Sequence, residues 1–403
     1  MLFKVVDWIC CRLANTIMFL LSLWPRRNEY DFSPSKGKKH VLVVANSLLG
    51  DALMPMPFFA SLRRELSKDE FHIAILLTPA IAKLYSGLQY FDEIVVSEHL
   101  CCRHPLKWIF TSRGFLDNSL RWALCHKVDI YLHPFPMRYR NLGYDYILRL
   151  VKAQKSIAYE SQFMGKLFPM TAAYQMKHCD RLYTHLFPVG CMKSQVEELS
   201  KMLVAATGND SAKLVPPSLE ELHSILSYNL ADKLPQPYVV FVPGAGAERR
   251  RWRIERFNEL AKMLGGTIVV VGTADEFALG DKISGAVNLC GKTSLKELGG
   301  ILANARLVVA NETGSASFAA VVQSPILCLL GGGDFNAFFP NSLCASTRSV
   351  YHKEDCFGCD WYCRKTDTSC SVAPCIDSIG VDEVYAIARE MLDESRKTIK
   401  GNV

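Results

Sequence analysis

His40–Leu66 reads HVLVVANSLLGDALMPMPFFASLRREL, and the fold turns on whether its two halves are a buried strand and a helix. The apolar run from Val41 to Ala45 is short and rich in β-branched residues, as a strand covered on both faces should be. It stops at polar Asn46, passes through Gly50-Asp51 and resumes as a longer apolar segment with helical spacing through FFASLRREL. Pro55 is tolerable near a helix start, whereas Pro57 implies a kink or a late start. Asp51 is either the cap of that helix or a group that does chemistry, since ligands of doubly wound sheets bind beyond the carboxyl ends of strands.

Outward from this stretch the same alternation continues. FHIAILL, a helix near PAIAKLYSGL, FDEIVV, a helix over Leu116–Cys125, KVDIYLHPF and KSIAYE follow in turn, then a helix through SQVEELSKMLVAAT. Short buried strands alternating with helices indicate a parallel α/β sheet. A loop rich in Pro and polar residues, GNDSAKLVPPS (Gly208–Ser218), begins a change of domain. A second alternation opens at PYVVFVPGAG and runs through ERFNELAKML, GTIVVVG, SLKELGGILANA, RLVVAN, SASFAAVVQ and PILCLLG. The expectation is two doubly wound α/β domains, residues 36–230 and 231–403, joined near residues 210–235, behind an N-terminal helix in residues 1–35.

The chain has 403 residues, 49% hydrophobic and 21% charged, which suits two globular cores. A net charge of +6 favours anionic small molecules or an anionic membrane surface and is too diffuse to argue for nucleic acid. The N-terminal segment MLFKVVDWICCRLANTIMFLLSLWPRR lacks a small-residue cleavage site, and Lys4, Asp7, Arg12 and Asn15 interrupt it too often for a bilayer span. Lys4, Asp7, Cys11 and Asn15 share one helical face, so the segment reads as an in-plane interfacial helix or as a helix packed on the protein's own surface. The resulting picture is a cytoplasmic protein resting on the inner leaflet.

Several stretches at strand ends are suited to chemistry. Asn311-Glu312-Thr313-Gly314-Ser315-Ala316-Ser317 follows RLVVA and precedes a small-residue helix. A helix start exposes unpaired N–H groups and a positive dipole end, which suits a phosphate, although a plain polar cap has the same composition. The loop from Pro243-Gly244 leads to Arg249-Arg250-Arg251 and Trp252. Guanidinium forks match phosphate oxygens in pairs, but three successive arginines cannot all meet one ligand. After TIVVV, Glu276 is placed to accept hydrogen bonds from a ribose diol, or is a surface acid. Lys107, Arg138 and Arg140 are candidates for anionic groups of an acceptor, or ordinary solvated charges. Cys356, Cys359, Cys363, Cys370 and Cys375 suit a thiolate-bound zinc, an iron–sulfur site, redox-dependent disulfides or free thiols, and their spacing matches no single zinc template.

Taken in order, NSLLGDALMPMPFFASLRREL, PGAGAERRRWRIERFNELAKML, GKTSLKELGGILANARLVVANETGSASFAA and the trailing CFGCDWYC resemble the heptosyltransferase family of bacterial glycosyltransferases, family nine, from about His40 to Val384. The resemblance implies a GT-B architecture of two facing Rossmann-like domains with the donor nucleotide on the C-terminal one. It implies sugar transfer with inversion, typically from ADP-heptose to the inner core of lipopolysaccharide, without an essential metal or other cofactor. The family's catalytic aspartate falls on Asp51, its ribose-binding acid on Glu276, and its Asp-Thr-Gly phosphate motif on Glu312-Thr313-Gly314. Arg250 stands where lysine is usual, Ser315-Ala316 where Pro-Met is usual, and Ser317 where histidine is common. These departures leave open a donor other than ADP-heptose, and beside it a nucleotide-sugar 2-epimerase or a non-catalytic nucleotide-sugar-binding partner of polysaccharide assembly. The expected partners are a nucleoside-diphosphate sugar, a glycan or glycolipid acceptor and the membrane surface.

Overall fold

The structure is a computed structural model and describes residues 13, 16–21, 23, 37–45, 49–98, 110–111, 114–135, 143–160, 180–188, 194–340, 346–359, 361, 363 and 372–401. Asn46, Lys107, Arg138, Arg140, Cys370 and the polar face Lys4, Asp7, Cys11 and Asn15 lie outside that set. The chain forms two compact units. The first comprises Met1–Gly190 with Leu199–Val215, and the second Cys191–Glu198 with Pro216–Val403.

In the first unit the strands are β1 (Lys39–Val44), β2 (Phe71–Leu77), β3 (Glu93–Val96), β4 (Ile130–Leu132), β5 (Lys155–Tyr159) and β6 (His185–Phe187). They lie in the order β3-β2-β1-β4-β5-β6 and every pairing is parallel. Chain order reverses at β1, so the switch point of the sheet lies beside its carboxyl end. The stretch that follows β1 breaks in two: α1 (Leu49–Leu53) ends in a turn at Met54-Pro55, and α2 (Met56–Glu65) then starts with Pro57 in its first turn. The late helix start follows from proline, which lacks the N–H that an interior helical position must donate. α3 (Pro79–Tyr85) secures this segment, because the Tyr85 hydroxyl donates to the Ala52 carbonyl. The Tyr85 ring stacks on Phe91 and meets Phe59 edge-on, burying all three.

Helices α4 (Asn118–Cys125), α5 (Gly143–Val151) and α6 (Gln195–Thr207) follow, and the chain passes from one unit to the other within α6. Residues 16–21 are helical. Met18 is buried in the first unit's core with Ile17 and Leu21 packed against it, while Leu13, Phe19, Leu20 and Leu23 are exposed. One side of the segment is therefore packed on the protein's own surface, and the other remains apolar and solvent-facing. Among the described residues no helix is long and apolar enough to cross a membrane.

The second unit repeats the plan with β7 (Tyr238–Val242), β8 (Thr267–Val270), β9 (Val287–Asn288), β10 (Leu307–Asn311), β11 (Ile326–Leu329) and β12 (Thr347–Val350). The order is β9-β8-β7-β10-β11-β12, again parallel throughout, with the switch point between β7 and β10. α7 (Ile254–Leu264), α8 (Leu295–Ala303), α9 (Gly314–Val321) and α10 (Val381–Gly401) are its longer helices. β7, β10 and β11 are buried along their whole length, as central strands covered on both faces must be.

Candidate functional site

The carboxyl ends of β7, β8, β10 and β11 in the second unit bring together four loops that are remote in sequence. Asn311, fully buried at the end of β10, ties two of them. Its amide nitrogen donates to the carbonyls of Pro243 (2.8 Å) and Gly244 (3.4 Å), and its oxygen accepts the Trp252 N–H at 3.0 Å. The β7 loop and the arginine turn are thus held against the strand across the switch point. Trp252 is itself anchored in the core, its indole N–H donating to the Ile379 carbonyl at 2.9 Å and its ring meeting Phe257 edge-on.

With both ends of the turn fixed, the arginines diverge. Arg251 folds back to the Ala245 carbonyl, at 3.3 Å from Nε and 3.1 Å from Nη2, and lies 3.8 Å from Glu276. Arg250 turns toward the next strand, with Nη2 3.4 Å from the Asp334 carboxylate, 3.8 Å from that of Glu312 and 3.5 Å from the Glu312 carbonyl. Its guanidinium carbon also lies 4.6 Å over the Trp361 ring. Arg249 contributes its backbone, the carbonyl accepting the Ala373 N–H at 2.9 Å.

Glu276 accepts the Thr273 N–H at 2.8 Å, and a β-carbon at Gly244 would overlap its carboxylate. A side chain at 244 would displace that carboxylate. Beyond β10, Thr313 caps α9, its hydroxyl accepting the Ala316 N–H at 3.4 Å. Thr313, Gly314 and Ser315 are partly exposed, and the free N–H groups of a first helical turn carry the positive end of its dipole. Ser317 is 2% exposed and its hydroxyl turns back to the Thr313 carbonyl at 3.5 Å, so it lies beneath that surface.

Glu312 is 6% exposed, and neither carboxyl oxygen accepts a hydrogen bond from any described residue. Burial first, and the neighbouring Asp334 second, push its pKa up to about 8 against the pull of Arg250. At neutral pH Glu312 is therefore mainly the neutral acid. The same buried acid adds to the burial that holds the Cys328 thiol well above its usual range.

The first unit places Asp51 in the first turn of α1, 5% exposed, one residue before the Ala52 carbonyl that Tyr85 holds. The cysteine-rich segment packs under the β11 loop: the Gly332 N–H donates to the Cys375 sulfur at 3.4 Å, and Phe357 lies against Gly332. Burial and the proximity of Cys356, Cys363 and Cys375 raise the Cys359 pKa, so these four gather in one neighbourhood. Among the described residues, however, no group of three His, Cys, Asp or Glu side chains is arranged to hold a metal ion. Cys356, Cys359 and Cys375 stand as thiols.

Sequence reasoning missed Asp334, Trp361 and the role of Asn311. Asp334 had a signal: Gly331-Gly332-Gly333-Asp334 follows PILCLL just as Gly50-Asp51 follows the first strand. Trp361 had none.

A glycosyltransferase family 9 (heptosyltransferase) profile matches residues 138–356, more than half of the chain. The chain belongs to that family. The lipooligosaccharide heptosyltransferase 2 of Haemophilus influenzae is 34% identical over 109 residues, covering 24% of this chain and 32% of that protein. The chain thus matches about a third of that relative's length. The Escherichia coli ADP-heptose lipopolysaccharide heptosyltransferase II superposes with a TM-score of 0.58 at 15% identity, covering 89% of this chain and 99% of the other. An E. coli heptosyltransferase solved with ADP-2-deoxy-2-fluoro heptose gives 0.59 at 15% identity, covering 87% and 99%. At such identities the likeness is one of fold, and the fold is GT-B.

Two stability outcomes follow from this geometry. Asn311→Ala strands the Trp252 N–H and the Pro243 carbonyl and should lower the melting temperature by about 5 °C or more, since each buried orphan costs about 1–3 kcal/mol. For Glu312, the unfolded carboxyl titrates near 4.5 and the folded one near 8. The unfolded chain then holds fewer protons across that window, so stability falls as pH rises, by at most about 1.4 kcal/mol per pH unit, and levels off above it. Thermal melts of Glu312→Gln between about pH 5 and pH 8 should lack this decline relative to the parent.

Proposed function

We propose that the protein is an inverting, metal-independent glycosyltransferase. It moves a heptose or related sugar from a nucleoside-diphosphate donor, ADP-linked, to a lipopolysaccharide or other cell-surface glycan acceptor. Membership of the heptosyltransferase family supports the reaction class, and relatives whose names specify ADP-heptose and lipopolysaccharide support the substrates. The observation that carries the reading is the Arg250 guanidinium 3.5 Å from the Glu312 carbonyl, next to the partly exposed start of α9 at a sheet switch point.

Loss of the nucleoside diphosphate builds negative charge on the leaving oxygens. Arg250 and the N–H groups at Thr313-Gly314 supply preorganised positive charge there, the task a divalent ion would otherwise perform. A neutral Glu312 behind that turn spares the anion a like charge. Arg251 and Glu276 lie on the β8 side, where the carboxylate has lone pairs left for a ribose diol. Asp51 is the general base: it takes the proton of the acceptor hydroxyl as that oxygen attacks the anomeric carbon opposite the departing diphosphate. Its setting on a short helix locked by Tyr85 supports a fixed rather than mobile carboxylate. The exposed apolar residues Leu13, Phe19, Leu20 and Leu23 support contact with a membrane surface, which fits a lipid-linked acceptor.

Asp51→Asn should lower transfer by about 10²–10⁴-fold without altering nucleotide affinity, and a loss of less than about tenfold removes it from the role of base. In a thermal-shift panel, ADP and ADP-sugars at 100 times Kd should add about 2.7 kcal/mol. A uridine or guanine preference overturns the adenine assignment. Transfer abolished by a chelator would contradict metal independence, and label found only in an isomerised donor would make the protein an epimerase.

A further inference from the structure

Resting on that reading of Arg250, we infer that Asp334 and Trp361 are positioning residues that clamp its guanidinium in the orientation in which it meets the donor's anionic group. Nothing in the sequence pairs these residues: Arg250 leaves β7, Asp334 follows β11, and Trp361 lies in the cysteine-rich segment. The structure joins them in a closed triangle. Asp334 Oδ2 lies 3.4 Å from Arg250 Nη2 and accepts the Trp361 indole N–H at 2.9 Å, and the guanidinium carbon sits 4.6 Å over the Trp361 ring. The carboxylate fixes one edge of the guanidinium, and the indole fixes its plane.

Two independent features show that the tryptophan is held there against resistance. Trp361 has φ +63°, a left-handed backbone that is strained for a bulky residue and persists only where surrounding contacts over-determine it. Gly333 has no side chain where a β-carbon would run into the indole ring, so the loop that carries Asp334 is shaped to receive Trp361. Asp334 and Trp361 are both buried, whereas the Arg250 side chain remains 24% exposed. Water is therefore kept from the clamp and not from the guanidinium's outer edge. An arginine has four rotatable bonds, and holding it beforehand removes the cost of ordering that side chain from ligand binding.

A double-mutant cycle on the full chain tests this, with ADP affinity from calorimetry and the melting temperature recorded for each variant. Asp334→Asn keeps the shape and an acceptor for the indole but removes the charge. It should weaken ADP about tenfold in the parent and less than about twofold in an Arg250→Met background, because a residue acting through Arg250 has nothing left to act on. Trp361→Phe, which keeps a ring and loses the N–H, should show the same dependence on background and serves if Asp334→Asn folds poorly. Equal losses in both backgrounds, or no loss in the parent, overturn the clamp while leaving the proposed function intact. A parent protein that binds no nucleoside diphosphate overturns the proposed function, and the clamp falls with it.

Discussion

The second unit depends on one buried amide. Doubly wound sheets split their chain order at a switch point, and the crevice this opens has no main-chain ladder of its own beyond the strand ends. Asn311 closes it chemically, accepting from Trp252 and donating to Pro243 and Gly244. A side-chain amide is suited to the task because it carries donors and an acceptor on one rigid plane. Once Asn311 has set the start of the glycine loop and the end of the arginine turn, the intervening residues have little freedom. Arg250 and Arg251 must leave the turn in different directions, toward β11 and β8 respectively.

That divergence shapes the electrostatics. A basic turn beside a helix N-terminus would, unmodified, be a surplus of positive charge. The structure places two buried carboxyl groups, Glu312 and Asp334, against Arg250. Two acids so close do not both ionise at little cost, and burial drives the proton onto Glu312. One guanidinium then faces one carboxylate, while the first turn of α9 keeps its dipole unopposed.

The cysteine-rich segment takes a structural place in this arrangement. Phe357, Trp361, Ala373 and Cys375 each touch the β11 loop or the arginine turn. Arg253 extends the same brace, its guanidinium bonding both carboxylate oxygens of Asp377. The described part of the cysteine-rich segment serves as the floor under two loops of the candidate site.

Strand and helix alternation, the doubly wound class, the late helix start at Pro57 and the family were legible in the sequence, because short apolar runs and proline act over a few residues and leave a local trace. Glu312-Thr313-Gly314 and Arg250 were legible for the same reason, each being a short motif next to a strand. The strands β6, β9 and β12 were not: they are edge strands of two to four residues, paired on one side and only partly buried, so they carry little hydrophobic signal. Nor could sequence say which arginine meets which acid, that Ser317 is covered, or that Asp334 and Trp361 converge on Arg250. Those contacts join residues dozens of positions apart, and whether a carboxyl group is charged depends on burial that exists only after the chain has closed around it.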